Sequence, residues 1–543
     1  MSEPVYTLGA AQLTVADVVR ASRAPLRLAL TAEARARMQA ARAVVDRYLA
    51  SETPAYGLNT GLGANVGYRI PSDAIPGFQE QLIRGRVIGV GDLLPVQTCR
   101  AALFCRTAAL AQGGAGISPD VHELMMAMLE RDVTPAIPSR GSIGAGDLGL
   151  VTSIASVMIG RGQAFHADRL LPGGDALAAA GLRPAALGAK DGLALANASA
   201  VTTAMASLAL DGAREFLQVH VAVAAFACDG YAANPRIFDA RLAAARPARG
   251  QESAAALFRR GMEGGSPQTA GSDRRVQDAL CFRTLAQVTG TALAAFADAR
   301  DAVETELNSA ADNPLVLIEA GEIYSSANFH TPAIALAFDA LAIAMTYVAT
   351  ASAYRSIKLM TGRLTGLPDY LTPVGGASAG FVPLQKTISA LHAEVRLKAY
   401  PASLDAIPVS DAVEDVAPQT PLTIRKFGEQ LDLLRWLTSI EALTAAQAWD
   451  LRRGGIGAPI GQAQPGRAGR ELHPIVRSAA EFLDGDRETG PDVTAVHEAL
   501  WSEQAITAVG AIFWDVPSPI AVPQAGQRDD PTPARGSCTD QCS

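Results

Sequence analysis

Three features of this 543-residue chain predict a mainly α-helical fold. Apolar residues recur at helical spacing through long alanine-rich runs, and strand-like alternation is rare. Glycines gather into a few loops in the first third of the chain instead of separating short strands throughout. An aromatic content of 5% fits helices packed closely around small side chains. The expected architecture is an N-terminal helical domain with Gly-rich loops over residues 1–187. A bundle of long central helices with C-terminal helices follows over 188–523, and a disordered tail over 524–543.

In the first region the glycine loops are Tyr56 to Gly67, Gly85 to Asp92, Gly113 to Gly116 and Gly141 to Gly149. Between them Val96 to Gln112 and Val121 to Arg131 carry helical periodicity. From Gly188 onward the runs lengthen, and helices are expected over Leu193 to Ala227, Val276 to Asn308, Pro332 to Met360 and Pro383 to Leu397. Ala243 to Arg275 is charged and Gly-containing and reads as a surface connection. Asp312-Asn313-Pro314 is a helix-stopping turn, and Leu315 to Tyr324 reads as a small hairpin. Gln524 to Ser543 is polar, contains proline and lacks an apolar period, hence the expected disorder.

Composition narrows the function. A formal net charge of −8 argues against nucleic acid or an anionic membrane as partner, since both need a cationic face. The longest apolar stretch, Thr331 to Ala353, carries Asp339 at its centre and lacks basic flanks, so it reads as a helix buried in a helical core, not a membrane span. The six cysteines form no metal-type CxxC pair, the seven histidines show no HxxxH or HExxH spacing, and no secretory leader opens the chain. No metal site and a reducing cytoplasm are expected. Cys538 and Cys542 read as part of a solvated tail.

Several ordered segments carry chemistry. Tyr56-Gly57-Leu58-Asn59-Thr60-Gly61-Leu62-Gly63 places a tyrosine at the mouth of a glycine turn. Gly141-Ser142-Ile143-Gly144-Ala145-Gly146-Asp147-Leu148 is a second glycine loop, and Lys190-Asp191-Gly192-Leu193-Ala194-Leu195-Ala196-Asn197 ends on a polar amide. Gln277-Asp278-Ala279 precedes Arg283, Asn328-Phe329-His330 follows the hairpin, and Glu414-Asp415 lies near the start of the last long helical run. An arginine can hold a carboxylate through two parallel hydrogen bonds. A tyrosine among backbone dipoles can serve as a base for a proton beside a carboxylate.

In order and spacing these blocks resemble the histidine/phenylalanine/tyrosine ammonia-lyase family, the aromatic amino acid lyases. The resemblance implies an ammonia-lyase/fumarase-like helical fold, a homotetramer, and an amino acid or related small carboxylate as substrate. It implies Tyr56, Gly63 and Glu414 in catalysis, and Arg86, Asn197, Gln277, Leu280, Arg283 and Phe329 around the substrate. In the family the second loop runs Gly-Ser-x-Gly-Ala-Ser-Gly-Asp-Leu, and its Ala-Ser-Gly triad becomes the electrophilic methylidene-imidazolone (MIO). Here Ala145 is followed directly by Gly146, then Asp147. The serine whose β-carbon becomes the methylidene is absent, so the family's MIO is not expected to form.

Other departures face the same pocket. Gly85-Arg86-Val87-Ile88-Gly89 stands where the family has Ser-His-x-x-Gly, and a guanidinium there favours an anionic or strongly hydrogen-bonding substrate tail. Leu280 replaces a tyrosine, and Val413 and Val416 flank Glu414-Asp415 where glutamine and histidine are usual. The expected activity is β-elimination, or the reverse addition, on an amino acid or related carboxylate with Tyr56 as base. An MIO-independent lyase or hydratase acting on a more anionic substrate, and a catalytically silent paralogue serving as a partner, are the alternatives.

Overall fold

The computed structural model describes residues 5–520 apart from 52, 266–275, 405, 411–412, 455–463 and 514. The tail with Cys538 and Cys542 lies outside the described residues. In chain order the helices are α1 (Val15–Arg23), α2 (Ala32–Ala50), α3 (Ile75–Arg84), α4 (Val96–Leu110), α5 (Pro119–Glu130), α6 (Leu148–Met158) and α7 (Gly173–Ala179). Then come α8 (Asp191–Ala196), α9 (Ala200–Tyr231), α10 (Ala240–Ala245), α11 (Gln251–Gly261), α12 (Leu280–Arg283), α13 (Leu285–Leu307) and α14 (Pro332–Leu359). The series closes with α15 (Gly362–Thr365), α16 (Leu384–Lys398), α17 (Thr420–Arg453), α18 (Arg467–Ala479), α19 (Thr489–Leu500) and α20 (Glu503–Gly510). The mainly helical class is as expected. Strands are confined to short pairings, including the hairpin in which Leu315, Val316 and Leu317 face Tyr324, Ile323 and Glu322.

The chain divides into two compact units that interleave in sequence. The first comprises Met1–Phe216, Ala294–Ala353 and Lys386–Leu437, and the second Leu217–Leu293, Tyr354–Gln385 and Thr438–Ser543. Residues on either side of Gly188 belong to the same unit. In the first unit, Ala41, Val44, Val45, Leu58, Ile75 and Val316 form one apolar cluster. A second cluster of Leu82, Leu193 and Ala196 receives Tyr56, Leu62, Phe78 and Leu148. Residues that seal this second cluster are thus direct neighbours of the Tyr56, Asp147 and Asn197 positions.

Three elements differ from expectation. The helix expected from Leu193 to Ala227 is broken at Asn197, whose backbone is extended at φ −99 and ψ 96, because the next residues are bound to other segments: the Asp147 N–H donates to the Ala198 carbonyl (2.6 Å). The helix expected over Val276 to Asn308 instead comprises the single turn α12 and then α13, with Val276 fully exposed. The surface connection expected from Ala243 to Arg275 contains α11, whose Ala254, Ala255, Leu257 and Phe258 are buried; its charges lie on the outer face only.

Candidate active site

Tyr56 sits on a turn locked by its own side chains. Asn59 Oδ1 accepts from Ala55 N (2.9 Å) and Asn59 Nδ2 donates to the Thr53 carbonyl (2.9 Å). Gly57 is left-handed at φ +63, and a Cβ there would lie 2.3 Å from Leu193 Cδ2, so α8 packs directly on the turn. The Gly63 N–H donates to Tyr56 Oη (3.0 Å) and fixes the position of that oxygen. Fully buried Gln79 on α3 joins this turn to α8: its Nε2 donates to the Gly57 carbonyl (3.2 Å) and its Oε1 accepts from Leu193 N (3.3 Å).

Ala145, Gly146 and Asp147 form the second wall. Ala145 pairs as an isolated antiparallel bridge with His330, and the Gly146 N–H donates to the Phe329 carbonyl (3.0 Å). Asp147 is fully buried and caps the start of α9, where Thr202 N and Oγ1 donate to its carboxylate at 2.7 and 2.8 Å. Ser142 Oγ adds a third bond at 2.7 Å. Burial pushes the Asp147 carboxyl up, and the Thr202 and Ser142 bonds pull against that push. Beside it Glu306, also raised by burial, accepts a hydrogen bond from Ser199 Oγ.

Asn197 faces this loop. Its Nδ2 donates to the Asn313 carbonyl (3.1 Å), which turns Oδ1 toward Gly146; a Cβ built on Gly146 would lie 2.5 Å from that oxygen and 3.5 Å from Phe329 Cβ. The residues present therefore do not fit the family's prosthetic group. Neither Ala145 nor Gly146 carries a hydroxyl to lose, and the place where a side chain would leave Gly146 is taken by Asn197. The Asp147 nitrogen, which would have to attack the Ala145 carbonyl in a ring closure, donates to the Ala198 carbonyl instead.

A buried charge cluster holds both ends of α8. Lys190, fully buried at φ +68, donates to the Ala115 carbonyl (2.6 Å) and lies 3.6 Å from Asp312 Oδ1. Fully buried Arg106 donates to the Ala194 carbonyl and to Asp312 Oδ2 (3.2 Å). Burial lowers the pKa of both cations, and Asp312 opposes it. This carboxylate adjoins Asn313, whose carbonyl orients Asn197.

Half-buried Arg86 donates from Nη1 to the Leu82 carbonyl (3.4 Å). Burial lowers its pKa, while the nearby Tyr56 and Glu414 support its positive form. Glu414 closes a turn by a bridge to Val409 and accepts from Ser410 Oγ (2.8 Å); Val413 and Val416 beside it are exposed. The first unit thus gathers Tyr56, Gly63, Arg86, Ala145, Gly146, Asp147, Asn197, Phe329 and Glu414. Gln277, Leu280 and Arg283 belong to the second unit, where Arg283 Nη1 donates to Gln277 Oε1 and Leu280 is exposed. Sequence reading missed Gln79, Thr202 and Arg106; it quoted Lys190 and the Asp312-Asn313-Pro314 turn, but not the pairing of Asp312 with Lys190 and Arg106 or the bond from Asn197 to Asn313, which only tertiary structure creates.

A long-helix fold with a glycine loop clasped by asparagine and phenylalanine beside a tyrosine defines a carbon–nitrogen lyase of the ammonia-lyase type. Residues 13–478 match the aromatic amino acid lyase family, and the chain belongs to it. It is 35% identical over 514 residues to a histidine ammonia-lyase of Stigmatella aurantiaca, covering 94% of this chain and 99% of that one. Among solved structures it is similar to an ergothioneine degrading enzyme, ergothionase, from Treponema denticola, with TM-score 0.88, 28% identity, and coverage of 93% and 99%. It is also similar to a tyrosine aminomutase from Streptomyces globisporus, with TM-score 0.85, 29% identity, and coverage of 94% and 99%.

Proposed function

We propose that this lyase eliminates an amine from an amino acid derivative without an MIO group, and that its substrate is a betaine whose α-nitrogen is quaternary. The observation that carries the reading is the Ala145–Gly146 junction: no hydroxyl is present, and Asn197 Oδ1 fills the space a β-carbon would need.

The chemistry follows from which proton a base meets first. A primary ammonium is far more acidic than a β-C–H, so without an electrophile to engage the amine the base is consumed by the wrong proton. A trialkylammonium has no proton to give, and it leaves as a neutral amine. Tyr56 acts as its phenolate: the anionic oxygen takes the β-hydrogen, the C–H pair becomes the alkene, and the C–N pair departs with nitrogen as a neutral amine. The tyrosine returns its proton to solvent. Arg283 holds the carboxylate through paired hydrogen bonds, Asn197 offers its second amide N–H, and Arg86 with Glu414 reads the side chain. The likeness to an ergothioneine degrading enzyme supports this class, since ergothioneine is a trimethylammonium betaine. The assembly we propose is a homotetramer, supported by an exposed apolar row on α14, namely Leu336, Ile343 and Tyr347.

The test offers the purified protein N,N,N-trimethylhistidine and histidine side by side, and reads trimethylamine and ammonia. Trimethylamine release that survives borohydride is expected, with an intact mass equal to that of the unmodified chain. Tyr56→Phe should cost roughly a hundredfold or more in kcat, the usual scale of a lost general base. Ammonia release abolished by borohydride, from a protein lighter by two waters, overturns the reading.

A further inference from the structure

The single turn α12 carries Arg283, and although Thr284 N caps its Leu280 and Phe282 carbonyls, four residues cannot hold themselves in a helix. Its rigidity comes from three anchors within the second unit. Asp278 Oδ2 accepts from Asn234 N (2.7 Å). Fully buried Phe282 stacks on Tyr231, with centroids 3.9 Å apart and planes at 14°. The Cys281 carbonyl accepts from Arg355 Nη1 (3.3 Å). These anchors fall on residues 278, 281 and 282, leaving Gln277 and Leu280 exposed and Arg283 half-buried.

Arg355, from α14, is wholly buried and doubly paired with buried Glu441 of α17: Nε to Oε1 at 2.6 Å and Nη2 to Oε2 at 3.0 Å. The same Nη2 lies 3.4 Å from Nε2 of His220 on α9, which burial and the guanidinium keep neutral. A buried ion pair of this kind is weak support for stability, because desolvation consumes most of the attraction. What the pair does supply is direction. Glu441 fixes the guanidinium plane by two parallel bonds, and the remaining fork then points at one carbonyl of α12.

We infer that Arg355, oriented by Glu441, is a positioning residue for Arg283, holding α12 through the Cys281 carbonyl so that the Arg283 guanidinium meets the substrate carboxylate in one place. The inference rests on the reading of Arg283 as the carboxylate holder.

The probe pair is 3-(imidazol-4-yl)acrylate, the elimination product of trimethylhistidine, and its methyl ester, with binding measured by calorimetry on the full-length protein. Arg355→Lys keeps the charge opposite Glu441 but cannot also reach Cys281. Phe282→Leu loosens the turn from its other side and leaves the ion pair intact. Both variants are expected to weaken binding of the acid about tenfold, the scale of one hydrogen bond to a charged group, with the ester unchanged. In an Arg283→Met background neither should add a further loss. Acid binding that falls in Arg283→Met but not in the other two variants overturns the positioning role alone, as does full additivity. Acid binding unchanged in Arg283→Met, or a parent without preference for the acid, overturns the carboxylate reading and this inference with it. Should Arg355→Lys fail to fold, the Phe282→Leu cycle decides.

Discussion

Gly146 holds a left-handed backbone, φ +67, that costs a residue with a β-carbon about 1–2 kcal/mol. A methyl there would also displace Asn197 Oδ1, which the Asn313 carbonyl has turned toward it. Gly146→Ala is therefore expected to lower stability by about 1–2 kcal/mol in denaturant unfolding and to reduce turnover through Asn197. Equal stability and unchanged kcat would show that the loop tolerates a side chain and that its closure is not the obstacle to the prosthetic group. At this scale the Ala145–Gly146 junction was legible, because it stands in the sequence itself and needs no coordinates. Gln79 was not: a glutamine in an amphipathic helix reads as a solvent residue, and only folding shows it bridging Gly57 and Leu193.

The element that organises the site is α8, six residues between a left-handed lysine and an extended asparagine. The long alanine-rich run after Gly188 predicted helix continuing through Asn197, since Asn197-Ala198-Ser199 contains neither glycine nor proline. The break is a tertiary effect: the Asp147 N–H takes the Ala198 carbonyl that a continuous helix would have bound internally, and the Asn313 carbonyl holds the Asn197 side chain. Likewise α12 and α13 form where sequence showed one helix, because the anchors on residues 278, 281 and 282 come from distant parts of the chain. Asp312 is the test of α8. Its carboxylate compensates Arg106 and Lys190, both fully buried, and Asp312→Asn keeps the shape while leaving Arg106 without its carboxylate and Lys190 with Asp191 alone. Stranding buried charge costs about 3–5 kcal/mol, so the variant should unfold at markedly lower denaturant. A loss under about 1 kcal/mol would mean that Lys190 sheds its proton and Arg106 reaches water, and that α8 is held by packing alone.

For the molecule as a whole, the mainly helical class was legible because long apolar periodicity survives any arrangement of the helices. Which face of α14 would be covered was not. Sequence reading took Thr331 to Ala353 for a core helix, and Asp339 is indeed buried, accepting from Ser403 N (3.1 Å) and Oγ (2.7 Å). A stripe beside it is open: Leu336 is 68% and Tyr347 55% exposed, and Leu397, Tyr400, Leu404 and Ile407 are exposed farther along the chain. Both α14 and the segment containing α8 and α9 are long and apolar enough to cross a membrane; the latter is 89% buried across its apolar window and the former 56%. An apolar row flanked by an aspartate that Ser403 holds buried suits a second copy of the chain better than lipid, since exposed patches of this kind mark association surfaces. Leu336→Glu with Tyr347→Glu is accordingly expected to shift the mass found by light scattering from four chains to fewer, with helix content by circular dichroism unchanged. Activity is expected to fall with the loss of the assembly. A parent that is already monomeric and active, or a parent that needs detergent to remain dispersed, would sink the homotetramer and assign the open face of α14 to another partner.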